Sequence, residues 1–248
     1  MRDLKILFPA PFLIGTQFSS TSTQVILQPG QWQLDNFGSL LLATIRGGKT
    51  FQWDPENVDV PTAVATRATV VSNAPTASET MIVSEKDRHV ILFGTETTIG
   101  TTTTQDKMFI RFSDQEDRND WVPTSTNTAG TMRLSSGSEI RAAIQGRDFV
   151  FVLTDKAAYV MQFVGPPFTF SVRQVGTNCG AIGHNAVAFA DGRVYWMGDA
   201  GGFFMFDGTV EDNIAYPNKG ENKDAIKDAA KQSQAHEFIK NLPKGYNT

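Results

Sequence analysis

Phe149-Val150-Phe151-Val152-Leu153 is apolar at every position. A strand with one wet face alternates apolar and polar residues, so this run requires cover on both faces. Propeller blades meet that demand, because each blade is a sheet sandwiched between two neighbours. Asp155-Lys156 then turns the chain into Ala158-Tyr159-Val160-Met161-Gln162-Phe163. Beyond Gly165-Pro166-Pro167 an outer strand is predicted from Phe168 to Val175.

The same order of turn, apolar run, turn and second apolar run ending near an aromatic and an aspartate recurs. Leu40 to Asp54, Val90 to Asp114, Phe149 to Phe163 and Val194 to Asp207 all carry it, with starts roughly 50 residues apart, the spacing of four-stranded blades. The first hairpin reads Leu40 to Ile45 and Thr50 to Trp53, joined by Arg46-Gly47-Gly48-Lys49; a Gly-Gly pair permits the positive φ that tight hairpin turns need. The second reads Met81 to Ser84 and His89 to Phe93, turned at Glu85-Lys86-Asp87-Arg88, with Met108 to Phe112 following. The fourth repeat comprises Asn185 to Phe189, a turn at Asp191-Gly192, Val194 to Met197, glycine-rich Gly198 to Gly202, and Phe203 to Phe206. Strands 149–153 and 194–197 are expected to be inner members of adjacent radial sheets, each shielded on both sides.

The expected fold class is therefore all-β, a partial β-propeller of about 3–4 blades over residues 38–210, at or below the ~4 blades that close a ring. Residues 1–37 read as an irregular opening segment, Pro55 to Glu79 as loop or edge strand, and Thr101 to Thr104 as part of a polar surface loop. Composition changes after Val210. Residues 211–248 form a helical tail, with helices at Ala225 to Lys231 and Ala235 to Lys240 and a cap at Glu221-Asn222. Lys223, Lys227 and Lys231 recur at every fourth position opposite Ile226, Ala229 and Ala230, which marks a solvated helix face.

Composition limits function. The chain has 248 residues, 40% hydrophobic and 19% charged, with net charge −4; no clustered basic excess points to general affinity for nucleic acid or anionic membrane. The single cysteine, Cys179, excludes an intrachain disulfide and reads as a buried inert thiol. Met1-Arg2-Asp3-Leu4-Lys5 followed by Ile6 to Ile14 faintly resembles a signal sequence, but Pro9 and Pro11 interrupt it. No apolar run approaches the ~18 residues of a membrane span, so a soluble protein or a part of a soluble assembly is expected.

Chemistry is sparse. Asp114, Glu116, Asp117 and Asp120 could hold Ca²⁺ or supply an acid and a base, but Arg111 and Arg118 lie among them and a charged surface turn is the simpler reading. His184, between Gly183 and Asn185, has no Ser or Cys nucleophile spaced beside it and reads as a strand-edge histidine. His89 and His236 do not pair as metal ligands by spacing. Trp53, Trp121, Tyr159 and Trp196 recur near strand ends, where they read as blade core, with stacking on sugar or nucleic acid as the alternative. No catalytic, cofactor-binding or metal residue is assigned. Gly165, Pro166, Pro167 and Phe168 are the expected subunit contact, a stiff projecting turn.

From Trp32 to about Val210 the chain resembles the tail nozzle proteins of short-tailed bacteriophages, also called tail tubular or stabilisation proteins. The matching stretches include Trp32-Gln-Leu-Asp-Asn-Phe-Gly38, Arg46-Gly-Gly-Lys-Thr-Phe-Gln-Trp-Asp54, Ser84-Glu-Lys-Asp-Arg-His-Val-Ile-Leu-Phe-Gly94 and Ile110-Arg-Phe-Ser-Asp-Gln-Glu-Asp117. Asp120-Trp-Val-Pro123, Gly137-Ser-Glu-Ile140, Met161-Gln-Phe-Val-Gly-Pro-Pro167 and Asp207-Gly-Thr209 continue them. The resemblance implies a structural virion component without enzymatic activity or cofactor. It further implies a hexameric tube beneath the portal and adaptor, through which viral DNA passes without sequence-specific contact. Family nozzles are longer, which suits an incomplete ring.

From Phe206-Asp-Gly-Thr-Val-Glu-Asp-Asn-Ile-Ala-Tyr216 through Ala235-His-Glu-Phe-Ile-Lys-Asn-Leu-Pro-Lys-Gly-Tyr-Asn247 the chain instead resembles part of the helical subdomain of ABC exporter ATPases. No GxxxxGK[ST] phosphate loop accompanies it. A junction near Phe206 to Val210 is expected, from either a truncated and fused reading frame or a sequence-assembly artefact. The alternatives to a nozzle are therefore a fragment of a transporter ATPase and a sugar-binding tail propeller.

Overall fold

The computed structural model describes residues 30–54, 68–199, 201–208, 223–232, 236–242 and 245–247. Within them the chain is mostly antiparallel strand, laid out as four meandering sheets in chain order. The first sheet holds β1 (Trp32–Phe37), β2 (Leu40–Ile45), β3 (Thr50–Trp53) and β4 (Thr69–Val70). The second holds β5 (Thr80–Val83), β6 (Val90–Phe93), β7 (Phe109–Phe112) and β8 (Gly130–Arg133). β9 (Ile140–Gln145), β10 (Val150–Thr154), β11 (Ala157–Gly165) and β12 (Thr169–Thr177) make the third. The fourth has β13 (Val187–Ala190), β14 (Arg193–Met197) and β15 (Phe203–Phe206).

Each apolar repeat of the sequence proves to be the hairpin of a sheet's second and third strands. Turn chemistry follows the residues present: Asp191 and Gly192 both take positive φ, 52° and 78°, and so close the two-residue loop that sets Ala190 opposite Arg193.

The sheets stack face to face, and each gap between them has its own core. Phe37, Leu40 and Leu42 of the first sheet pack with Met81, Val83, Val90 and Leu92 of the second. On the opposite face of β6, Ile91 and Phe93 join Ile140, Val150 and Val152 of the third sheet. β10 repeats the division, with Phe151 and Leu153 turned instead toward Val194 and Trp196 of the fourth. Alternation of side chains across the pleat thus feeds two cores from one strand. That is why the run Phe149 to Leu153 is apolar throughout. Each such large side chain contributes ~1.5–3 kcal/mol by leaving water.

Neighbouring sheets approach through their first strands, β1 against β5, β5 against β9, and β9 against β13. The sheets therefore fan outward from a shared line of strands.

Several expectations change. β14 is covered on one face only: Val194 and Trp196 are buried, while Tyr195 and Met197 are 38% and 37% exposed. The fourth sheet is the last of the stack, so no further described sheet covers its other side. Residues 32–37 are not irregular but form β1. Thr102–Thr104 makes a short 3-10 turn within the expected loop, with the Thr104 amide donating to the Thr101 carbonyl at 2.9 Å. β8 and β9 add strands the sequence did not announce.

Two helices, α1 (Lys223–Gln232) and α2 (His236–Lys240), pack on each other. Ile226, Ala230 and Ile239 are buried, whereas Lys223, Lys227 and Lys231 face solvent. The apolar start at Ile6 to Ile14, residues 55–67 of the first connection, the cap at Glu221-Asn222 and the latter part of the expected junction lie outside the described residues. No described helix is long and apolar enough to cross a membrane.

Candidate functional site

One end of the sheet stack carries a chain of alternating charges. Arg46 follows β2, Glu79 precedes β5, Lys107 leads toward β7, and Glu139 and Arg141 stand at the start of β9. Because the first strands all begin at this end, their flanking residues meet. Arg46 Nε lies 2.8 Å from Glu79 Oε2, and Lys107 Nζ is 3.9 Å from the other oxygen of that carboxylate. Lys107 Nζ also reaches Glu139 Oε2 at 3.2 Å, and Arg141 Nε reaches Glu139 Oε1 at 3.0 Å. Arg141 Nη1 then donates to the carbonyls of Ala181 and Ile182, at 3.0 and 3.2 Å, in the loop that leads to β13. The chain of contacts thus joins all four sheets.

Its chemistry is that of struts. Burial alone would raise the pKa of Glu139, but its hydrogen bonds from Lys107 and Arg141 outweigh it and hold the carboxyl below its usual range. It is ionised at neutral pH and accepts rather than donates protons. Burial, helped by the charge of Arg46, pushes His184 down, which leaves its ring neutral. Glu79 is 7% exposed on its side chain. An interior carboxylate of this kind gains from its cations mainly by not standing unpaired.

The expected contact turn lies at the tip of the β11–β12 hairpin. Gly165 takes φ +77°, the Pro166–Pro167 bond is cis, and Phe168 is 78% exposed. The base of this tip is fixed. Phe163 and Phe170 pack in the core between the second and third sheets, and Thr169 Oγ1 donates to the Thr128 carbonyl at 3.1 Å. Phe168 therefore projects an apolar ring from an anchored support.

The other candidate residues find separate employments. Asp114 Oδ1 accepts from the Thr128 amide and hydroxyl at 2.7 and 2.6 Å; burial opposes its ionisation, but these bonds prevail and lower its pKa. Asp117 caps the Asn119 amide at 2.8 Å, and Asp120 Oδ2 accepts from Asn127 at 2.8 Å. The carboxylates thus bind their own loop. Among the described residues no group of three or more His, Cys, Asp and Glu could hold a metal ion.

His89 is fully buried between Asp87 at 3.2 Å and Thr128 Oγ1 at 3.0 Å, whereas His236 meets the Tyr246 hydroxyl at 2.7 Å. Trp121, Tyr159 and Trp196 are core residues and Trp53 is half-buried. Cys179 is buried, and desolvation raises its pKa. Sequence reading missed the charge chain altogether. Its members are separated by tens of residues, and each alone resembles an ordinary turn charge.

No protein-family model matches the chain. Among curated proteins, ABC transporter B family member 3 of Dictyostelium discoideum is 48% identical over 44 residues, covering 18% of this chain and 3% of that protein. The ATP-dependent lipid A-core flippase of Syntrophus aciditrophicus (strain SB) is 48% identical over 44 residues, again 18% of this chain, and 7% of the flippase. The chain thus spans a small fraction of the curated relatives it matches. Among solved structures, Kluyveromyces lactis Hsv2 aligns at 9% identity and TM-score 0.39, over 68% of this chain and 41% of that chain. The computationally designed Ika4 protein aligns at 11% and 0.40, over 70% of this chain and 88% of that one.

Proposed function

We propose that the chain is a partial β-propeller of about four blades that serves as a structural part of a bacteriophage tail nozzle, lining the conduit for genome ejection. One observation carries the architectural half of this reading. Four sheets follow one another at a period near 50 residues, meet through their first strands and share a core in every gap, as blades do. The tail assignment is supported by the ordered sequence resemblance from Trp32 to about Val210.

The work is mechanical. Rigid blades pack face to face, and the charge chain at one end clamps them in register. Partners are other tail proteins on the portal and adaptor side and copies of the chain itself, with Phe168 as a contact. Viral DNA passes without sequence-specific bonds, and a net charge of −4 suits a conduit, since each added Lys or Arg near the strand would add a phosphate contact and slow sliding. Immunogold labelling of purified phage particles with antibodies to this chain tests the assignment. Gold at the tail supports it, and gold on capsids or on no particle overturns it.

The short matches to transporter ATPases motivate a second reading, a fragment of an ABC transporter ATPase. It requires nucleotide binding. Calorimetric titration with Mg-ATP that releases no heat removes it, in keeping with the missing phosphate loop.

A further inference from the structure

The loop that leads from the third sheet into the fourth is clasped to β9 in both directions. Arg141 Nη1 donates to the carbonyls of Ala181 and Ile182 at 3.0 and 3.2 Å, and the His184 ring, two residues further on, donates back to the Arg141 backbone carbonyl. The Ala181 amide adds a bond to the Thr154 carbonyl of β10 at 3.0 Å. Ala181 is fully buried, so the chain enters the fourth sheet through a fixed joint.

The joint suits one charge state of the ring. His184 Nδ1 is buried with no hydrogen-bond partner. In a neutral ring that atom is a bare lone pair, which forgoes one bond. In an imidazolium it would be a charged N–H with nothing to accept it, which costs more. The charges that face the ring come from other segments: Arg46 after β2 opposes a positive ring, while Glu79 before β5 and Glu139 beside β9 favour one, and burial together with Arg46 prevails. Both carboxylates are already engaged, Glu79 by Arg46 and Lys107, Glu139 by Lys107 and Arg141. No other charged residue lies between Ala181 and Asn185.

We propose that this joint is an acid-operated latch, in which a proton taken up by His184 frees the 181–184 loop from Arg141 and loosens the fourth sheet from the third. The open loop exposes the ring, which then takes its proton near the ordinary value of 6.5, whereas the clasped ring takes it only at lower pH. Acid therefore favours the open state by up to about tenfold per pH unit below the ordinary value, until the clasped ring is protonated as well. Above that value the closed state keeps its full advantage. Glu139, held below its usual range, is still ionised at pH 5, so the strut from Lys107 to Glu139 stays in place while the latch opens. The latch goes beyond the tail reading and does not depend on it.

Amide hydrogen exchange of the full chain, followed by nuclear magnetic resonance at pH 7 and pH 5, tests the proposal. The protection factor of the Ala181 amide is expected to fall severalfold at pH 5, while the amides of β10 hold theirs. His184→Gln keeps a side-chain N–H for the Arg141 carbonyl and never takes a charge, so its Ala181 protection is expected to be the same at both pH values. Unchanged protection in the wild type, or an equal fall in His184→Gln, overturns the latch. The ring titration of His184, followed through its imidazole carbon shifts in the wild-type chain, needs no variant. Titration below that of a free histidine supports the latch, and titration at or above it overturns it.

Discussion

Asp155, in the turn between β10 and β11, accepts the backbone amide of Ser138 on one carboxylate oxygen and the Ser138 hydroxyl on the other, both at 2.7 Å. Two turns distant in sequence are thereby tied beside the start of β9. Removing the carboxylate leaves the exposed Ser138 donors to water, so Asp155→Ala is expected to cost ~0.5–1.5 kcal/mol.

The same contact sets a pH dependence. Burial opposes ionisation of Asp155, but the Ser138 bonds prevail and its folded pKa lies below the ordinary value of 3.8. The unfolded chain therefore binds the proton more readily, and the stabilisation is complete above the unfolded pKa and lost as pH falls through the folded one. Urea midpoints of wild type and Asp155→Ala should differ at pH 7 and converge toward pH 3. An equal gap at both would show that the charge contributes nothing.

Gly180 packs against the same turn from the other side. A Cβ there would lie 2.1 Å from the Asp155 carbonyl carbon and 2.4 Å from the Lys156 nitrogen. Both are backbone atoms, with no flexible side chain to yield. Gly180→Ala is expected to cost ~1–3 kcal/mol by forced displacement. Gly183→Ala, where nothing lies within 4 Å, is the control expected to melt near the wild type in calorimetry.

Legibility in the sequence followed burial. β6 and β10 were readable because apolar residues on both faces leave few other interpretations. β1 was not, since Asp35 faces the second sheet, where its Oδ2 accepts the Val83 amide at 2.8 Å; a polar residue doing a backbone's work breaks the pattern that announces a strand. β8, Gly130-Thr-Met-Arg133, is an outer strand with little apolar content. β14 misled in the opposite sense. Val194, Tyr195, Trp196 and Met197 look doubly covered, but whether a next sheet follows is not written in the strand itself. Of the candidate site, the Phe168 turn was legible from its Gly-Pro-Pro lead, whereas Glu79 and Glu139 acquire meaning only when distant turns converge.

Thr128 connects a buried imidazole to a half-buried carboxylate, its hydroxyl lying 3.0 Å from His89 Nε2 and donating to Asp114 Oδ1 at 2.6 Å. Valine has nearly the same shape but neither bond. Thr128→Val should lose ~1–3 kcal/mol, because a fully buried imidazole nitrogen forfeits its partner. Denaturant midpoints check it. Thr128→Ser, which keeps the hydroxyl, should recover most of the loss, and failure to do so would assign the effect to packing.

Two phenylalanines separate folding from contact. Phe151 is fully buried, with ring centroids 5.3 Å from Trp196 and 4.9 Å from Phe206. Phe151→Ala removes the ring that joins the third and fourth sheets and is expected to cost ~3–5 kcal/mol. Phe168, 78% exposed, has little to lose on its own chain, and Phe168→Ala should change unfolding free energy by no more than ~0.5 kcal/mol. Under the proposed tail role, the Phe168 variant in a phage encoding this chain is instead expected to lower the yield of tailed particles counted by electron microscopy. Full yield with Phe168→Ala would remove the hairpin tip from the assembly contacts, while equal stability losses for both variants would mean the tip is held by the fold and not offered to a partner.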